Sequence, residues 1–180
     1  MIDRGEGPAV VLLPSDAAWQ GLIHLLEPWM RVVVPEETDV AVIGEELRRL
    51  GIEEFAAVGF DEGGWVAQEL ALGGGVRTLV LIGTPEAPGI EALPDLPVFL
   101  LWGEDDEVVP AADGERLAGK LPGSTLALIP GCGHDVLSEA GDAIFPLVFE
   151  YLRARYLGRK HGHERGPVKI EILTSPPERP

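Results

Sequence analysis

The sequence predicts an α/β fold in which a doubly wound, mostly parallel sheet carries helices on both faces. Short apolar runs recur along the chain, segments with helical spacing of apolar residues separate them, and Gly or Pro follows each run. In such a fold the crossovers are right-handed, and ligands bind beyond the carboxyl ends of the strands. With 180 residues and one cysteine, the chain can bury a core without disulfides.

The apolar runs are predicted to be strands. Ala9 to Leu13 is apolar throughout and lies between two prolines, which is typical of a strand buried on both faces of a parallel sheet. The other runs are 32–34, 55–58, 78–82, 98–102 and 126–129.

The segments between the runs are predicted to be helices, because their apolar residues recur at intervals of three and four. In 17–26, for example, Trp19, Leu22 and Ile23 share one face. The predicted helices are 17–26, 40–50, 63–72, 111–121 and 137–157.

The domain is predicted to cover residues 1–157, and the remaining 158–180 have a different character. This tail begins with a basic stretch that we interpret as a linker, and its last residues, 175–180, are expected to be disordered. Between them, 168–173 alternates as an edge strand does. It is expected either to cover an open edge of the sheet or to pair with a second subunit, which would make a homodimer.

The charge of the chain restricts its partners and its location. Thirty acidic residues against 14 basic ones give a net charge of −16, which disfavours nucleic acid and anionic membranes. The start of the chain lacks the features of a secretory signal, and no apolar run is long enough to span a bilayer, so we expect a cytoplasmic protein. We expect no metal or cofactor, since His161 and His163 in the basic tail are more simply solvated.

A turn rich in glycine, Gly59-Phe60-Asp61-Glu62-Gly63, joins a predicted buried strand to a predicted helix. Small residues at both flanks of such a turn allow the strand and the helix to approach each other closely. This string alone has little specificity, since glycine-rich turns of this kind are also common for packing reasons.

Two further motifs follow in the sequence. After the run 98–102, Gly103 precedes a string of acids in which Asp106 stands three residues after the glycine and Asp105 is the neighbouring candidate. After the run 126–129, a turn with two glycines leads to His134. The three motifs in this order resemble the nucleophile, acid and histidine motifs of the α/β-hydrolase family, over about residues 2–157.

The resemblance implies a role for each matched position. Asp61 would be the nucleophile, His134 the base that activates water, and Asp106 the acid that orients the histidine. The backbone amides of Asp16 and Glu62 would form the oxyanion hole. An aspartate at the elbow is similar to that of dehalogenases and epoxide hydrolases, whereas serine marks esterases, so the implied substrate is an ester-like, epoxide or halogenated small molecule.

The sequence departs from the family at three places. Glu62 adds a negative charge beside the nucleophile, Pro14-Ser15-Asp16 replaces the usual His-Gly loop, and 84–96 is too short for a cap domain. We therefore expect a truncated α/β-hydrolase core with a shallow, open pocket. Two alternatives remain: a catalytically degenerate member with a binding or assembly role, and a serine-type hydrolase whose elbow carries an altered residue.

Overall fold

The computed structural model describes residues 1–157, which form a seven-stranded sheet with helices on both faces. The strands are β1 (Ile2–Arg4), β2 (Ala9–Leu13), β3 (Arg31–Val34), β4 (Phe55–Phe60), β5 (Val76–Ile82), β6 (Val98–Gly103) and β7 (Thr125–Ile129). The helices are α1 (Gln20–Leu26), α2 (Val40–Arg49), α3 (Glu62–Gly73), α4 (Ala111–Lys120) and α5 (Val136–Leu152). The strand order is β1-β3-β2-β4-β5-β6-β7, and only the β1–β3 pair is antiparallel. The predicted doubly wound, mostly parallel sheet is thus confirmed.

Burial on both faces explains why the strands are continuously apolar. Along β2, Val10 and Leu12 belong to the core on one face of the sheet, with side chains of α1 and α5. Val11 and Leu13 point to the opposite core, with side chains of α2, α3 and α4. Since successive strand residues face opposite sides, both sets must be apolar when helices cover both faces.

Some element boundaries differ from the predicted ones for local reasons. Strand β1 was not predicted because three residues, two of them exposed, are too few to show a period. The helix predicted over 17–26 begins instead with a 3-10 turn, Ala17–Trp19, where the Asp16 carboxylate accepts from the Ala18 amide at 2.8 Å. The last predicted helix ends at Leu152 and continues as a π-helical turn, Arg153–Leu157.

The connection from β5 to β6 contains one 3-10 turn, Ile90–Ala92, and no inserted helical domain. The predicted core without a cap is therefore what the described residues form. Within residues 1–157 no helix has both the length and the apolar character needed to cross a membrane. The predicted linker, edge strand and disordered end at 158–180 lie outside the described residues, so the homodimer contact stays a prediction.

Tyr151 on α5 gives the fold a pH dependence that can be tested in alkali. Its ring stacks on Phe99 with centroids 4.8 Å apart, and burial raises the pKa of its phenol from 10.0 to about 12. Burial also raises the pKa of Tyr156 to about 12. Because the folded state favours the protonated phenol, the stability it contributes is complete below pH 10.0 and is lost as the pH rises towards about 12.

Phenolate absorbance should report this shift directly, since the chain has only 2 tyrosines. We expect the folded protein to show little phenolate at pH 10.5 and the urea-unfolded protein to show mostly phenolate. Tyr151→Phe keeps the stacked ring and should reduce the loss of unfolding free energy above pH 10 by on the order of 2 kcal/mol. An ordinary tyrosine titration near pH 10 in the folded wild type would contradict the expectation.

Candidate active site

Asp61 lies at the turn between β4 and α3, in a backbone conformation that side chains rarely adopt. Its φ of 49° is the only positive φ outside glycine in the described residues. Such a conformation costs on the order of 1–3 kcal/mol and persists where surrounding contacts enforce it. Here the Asp61 amide donates to the Ile82 carbonyl at 3.1 Å, and the Thr84 hydroxyl donates to the Asp61 carbonyl at 2.7 Å. These bonds hold the carboxylate at the carboxyl edge of the sheet, where 42% of the side chain is exposed.

The two glycines of the turn permit the close contacts that the elbow requires. A Cβ on Gly63 would lie 2.2 Å from the Pro14 nitrogen, and a Cβ on Gly59 would lie 2.4 Å from the Gly64 Cα. Both neighbours are backbone atoms, which cannot turn aside as a flexible side chain can. The start of α3 is therefore packed directly against β4 and against the loop that follows β2.

Asp106, in the loop after β6, contacts the imidazole of His134, in the neighbouring loop after β7. Its Oδ2 lies 2.9 Å from His134 Nδ1, while its Oδ1 accepts from the amides of Val108 and Val109 at 2.9 Å each. The Asp106 side chain is fully buried. Since a carboxylate only accepts, the ring nitrogen facing Asp106 carries the proton, and the neutral ring then presents a lone pair at Nε2.

His134 Nε2 points at Asp61. It lies 3.6 Å from Asp61 Oδ1, too far for a hydrogen bond, and it is a buried atom without a hydrogen-bond partner in the described residues. Phe60 packs against the ring with centroids 5.4 Å apart, and Glu139 accepts from the Gly133 amide at 2.8 Å. The structure thus brings together Asp61, Asp106 and His134, while their chemical roles stay predictions.

The alternative acid, Asp105, does not contact the histidine. Its side chain is exposed, and its amide donates to the Cys132 carbonyl at 2.9 Å. Cys132 itself is buried, and burial, followed by the charges of Glu139 and Asp105, raises the pKa of its thiol. Geometry therefore favours Asp106 as the partner of His134 and a packing role for Cys132.

A cavity of about 360 Å³ opens beside the elbow. Its lining comes from the loops after β2, β3 and β5 and from the start of α3, and consists of Pro14, Thr38, Glu62, Gly63, Trp65, Val66 and Pro85. A larger cavity of about 470 Å³ lies between α2 and α3 near the amino end of β4, remote from the three side chains. The smaller cavity includes Glu62 and Gly63, which directly follow Asp61, in its lining.

The two residues predicted for the oxyanion hole differ in their placement. Glu62 is the first residue of α3, so its amide is among those that a helix start leaves without an intrahelical acceptor, and it lines the cavity. Asp16 lies in the exposed loop after β2, and Pro14 is the residue of this loop that reaches the cavity lining. The oxyanion role of both amides stays a prediction.

Sequence reasoning missed Thr84, on the loop after β5, and Gln68, on α3, which together support the elbow. Gln68 is fully buried, donates to the carbonyls of Gly64 at 3.1 Å and Pro85 at 2.9 Å, and accepts from the Ala87 amide at 2.9 Å. It fixes the loop that carries Thr84 to α3. Thr84 could have been noticed, since it lies two residues after a predicted strand, at the edge where ligands bind.

The described residues offer no cluster of three or more His, Cys, Asp or Glu side chains suited to a metal ion.

Comparison with known proteins adds the fold family. No protein-family model matches the chain. The uncharacterized hydrolase YugF of Bacillus subtilis is 35% identical over 57 residues, which make up 32% of this chain and 21% of that protein. A 2-hydroxy-6-oxononadienedioate/2-hydroxy-6-oxononatrienedioate hydrolase of Burkholderia vietnamiensis is 35% identical over 57 residues, or 32% of this chain and 20% of that one. The matched segment thus spans about a fifth of the length of these relatives.

A solved structure matches over most of the chain. MGS-MChE2, an alpha/beta hydrolase enzyme from a metagenome of lagoon sediments at Mar Chica, Morocco, has a TM-score of 0.75 and 21% identity. The match covers 86% of this chain and 94% of that chain. The chain therefore has the α/β-hydrolase fold, as its three motifs predicted.

Proposed function

We propose that this protein is a hydrolase of small molecules in which Asp61 is the nucleophile, His134 the base and Asp106 the acid that orients the base. One observation carries the proposal: the buried Nε2 of His134, without a partner, faces Asp61 Oδ1 at 3.6 Å from a ring held by Asp106. The names of both curated relatives, which are hydrolases, support the general class.

The first step would be a displacement at carbon. A lone pair of the Asp61 carboxylate forms a bond to an electrophilic carbon of the substrate, and the bond from that carbon to a halide or an epoxide oxygen breaks with its electron pair. The halide leaves as an anion, whereas the alkoxide formed from an epoxide takes a proton from solvent water. The product is an alkyl ester on Asp61. An ester substrate attacked at its carbonyl would instead give an anhydride on the enzyme.

The second step would hydrolyse the ester on Asp61 and regenerate the free enzyme. His134 Nε2 removes a proton from water, and the resulting hydroxide adds to the ester carbon of the Asp61 side chain, Cγ. The alcohol then leaves with that proton. The net reaction of a halide is RX plus water giving ROH and HX. Asp106 keeps Nδ1 protonated and thereby keeps the lone pair at Nε2, where the water must bind.

The open site favours a second candidate, a degenerate protein that binds without turnover. Among residues 1–157 no cap covers the Asp61 side chain, which is 42% exposed, and Glu62 adds a charge that opposes a departing anion. The same geometry would suit a serine-type hydrolase with an altered elbow, in which case Asp61→Ser should create esterase activity.

The test is to incubate the wild type and Asp61→Asn with panels of epoxides, haloalkanes and p-nitrophenyl esters. We expect product from at least one epoxide or haloalkane. Intact mass after acid quench should show an alkyl adduct, and digestion should assign it to the peptide that contains Asp61. Asp61→Asn keeps the size of the side chain and should show neither. Absence of turnover and of adduct across the panel would reject the hydrolase in favour of the binding role.

A further inference from the structure

The loops at the carboxyl edge of the sheet carry acidic residues and no Lys or Arg. They are the segments 14–16, 35–39, 61–62, 83–88, 104–110 and 130–135. Their acids are Asp16, Glu36, Glu37, Asp39, Asp61, Glu62, Glu86, Glu104, Asp105, Asp106, Glu107 and Asp135. A cleft whose walls carry one sign of charge concentrates ligands of the opposite sign.

Within residues 1–157 the Lys and Arg side chains belong to other segments, and two of these acids already have a cationic partner: Glu36 pairs with the Met1 amino group and Glu86 with Lys120. Arg31 begins β3 and Arg77 lies at the start of β5, so both belong to the amino edge of the sheet. Arg31 pairs with Asp3 at 2.7 Å. Lys120, at the end of α4, pairs with Glu86 and Glu91. A substrate carboxylate at the carboxyl edge would therefore meet like charges.

The cavity beside the elbow has the composition of a site for an organic cation. Glu62 and Trp65, both exposed residues that line it, are three positions apart on α3 and therefore on the same face of the helix. The indole face attracts cations through its quadrupole, and quaternary ammonium groups are the ligands that such aromatic surfaces recognise. Pro14, Val66 and Pro85 supply apolar surface for the alkyl groups around the nitrogen. A volume of about 360 Å³ is ample for a trimethylammonium group.

We propose that this cavity binds the ammonium group of the substrate, and that the protein acts on small cationic molecules whose electrophilic carbon lies a few bonds from a quaternary or protonated amine. The proposal rests on the proposed function for the reacting carbon but not for the binding of the cation. The proposal gives Glu62 a binding role, because a negative charge that opposes a departing anion stabilises a bound cation. It also separates this chain from its relative in Burkholderia vietnamiensis, which by name hydrolyses a dioate.

Binding can be measured without turnover by titrating choline and its neutral isostere, 3,3-dimethylbutan-1-ol, into the protein and following heat or ligand NMR signals. We expect choline to bind about tenfold or more tightly than the isostere, with an advantage that shrinks at high salt. Glu62→Gln and Trp65→Leu should each remove most of this advantage. Glu115→Gln, the same charge change on the exposed face of α4, should leave it unchanged.

Equal affinity for the two alcohols, or equal effects of Glu62→Gln and Glu115→Gln, would overturn the cation site. Thermal unfolding of each variant shows whether a loss of binding reflects loss of the fold. A variant that melts early is replaced by Glu62→Ala or Trp65→Phe. Trp65→Phe keeps an aromatic face and should retain part of the preference for choline.

The reaction is tested separately with glycidyltrimethylammonium and its neutral isostere, 4,4-dimethyl-1,2-epoxypentane. We expect the cationic epoxide to alkylate Asp61 about tenfold faster or more. Binding of choline without any adduct from either epoxide would reject the hydrolase and keep the cation site. Equal adduct rates with no preference for choline would keep the hydrolase and reject the cation site.

Discussion

His134→Ala is expected to be alkylated on Asp61 at a rate near that of the wild type and then to stop after one turnover. The displacement step needs only the carboxylate, whereas cleavage of the ester needs a base to deprotonate water. His134 Nε2 is the one imidazole nitrogen that faces Asp61, at 3.6 Å. Loss of a general base typically costs ~10²–10⁴-fold in rate, so the ester should accumulate to nearly one equivalent.

The measurement is a rapid-quench time course with an epoxide or haloalkane that the wild type turns over, followed by intact mass. We expect the adduct to persist for hours in His134→Ala and to be transient in the wild type. His24→Ala, on the exposed side of α1, changes the same residue type away from the site and should behave as wild type. Continued multiple turnover by His134→Ala would exclude His134 as the base.

Most of the fold could be predicted from the sequence because both faces of the sheet are covered. A strand such as β2 must then be apolar at every position, and this leaves a run that is visible without an alignment. Strand β1 left no such mark, since its three residues pair with β3 at the margin and are at most half-buried. Only contact with β3 makes it a strand.

The site was predictable where a residue follows a strand and unpredictable where it depends on packing. Asp61 and His134 stand after β4 and β7, in turns with recognisable glycines. Asp105 and Asp106 are neighbours in sequence; the spacing from Gly103 favoured Asp106, and burial and the bond to His134 distinguish it in the structure. Gln68 lies within α3, and its partners on the loop after β5 are 17 and 19 residues away, so no local pattern marks it.

The cavity shows the same limit. Its lining residues, among them Pro14, Thr38 and Trp65, come from separate loops and from one helix. Trp65 lies on α3 with 37% of the residue accessible, and its sequence position alone does not show that it faces a cavity. The composition shows that acids outnumber basic residues. That many of them lie at one edge becomes visible only in the fold, because the carboxyl ends of the parallel strands meet there.

Gly63→Ala is expected to lower the free energy of unfolding by about 3 kcal/mol, as overpacking against backbone does. The added Cβ would lie 2.2 Å from the Pro14 nitrogen and 2.3 Å from the Leu13 carbonyl carbon, so α3 or the loop after β2 must move. Gly73→Ala, at the other end of α3, meets nothing within 4 Å and should instead stabilise by about 0.5–1 kcal/mol.

Urea unfolding of the two variants separates packing from helix propensity, because propensity alone would stabilise both. Similar shifts of the midpoint in the same direction would show that a Cβ at position 63 is accommodated without a steric clash. If Gly63→Ala is destabilised as expected but remains folded, the rate of Asp61 alkylation should also fall, while Gly73→Ala keeps the wild-type rate. That combination would show that the contact between the start of α3 and the Leu13–Pro14 peptide fixes the position of the Asp61 carboxylate. A displacement at this contact moves both the nucleophile and the cavity.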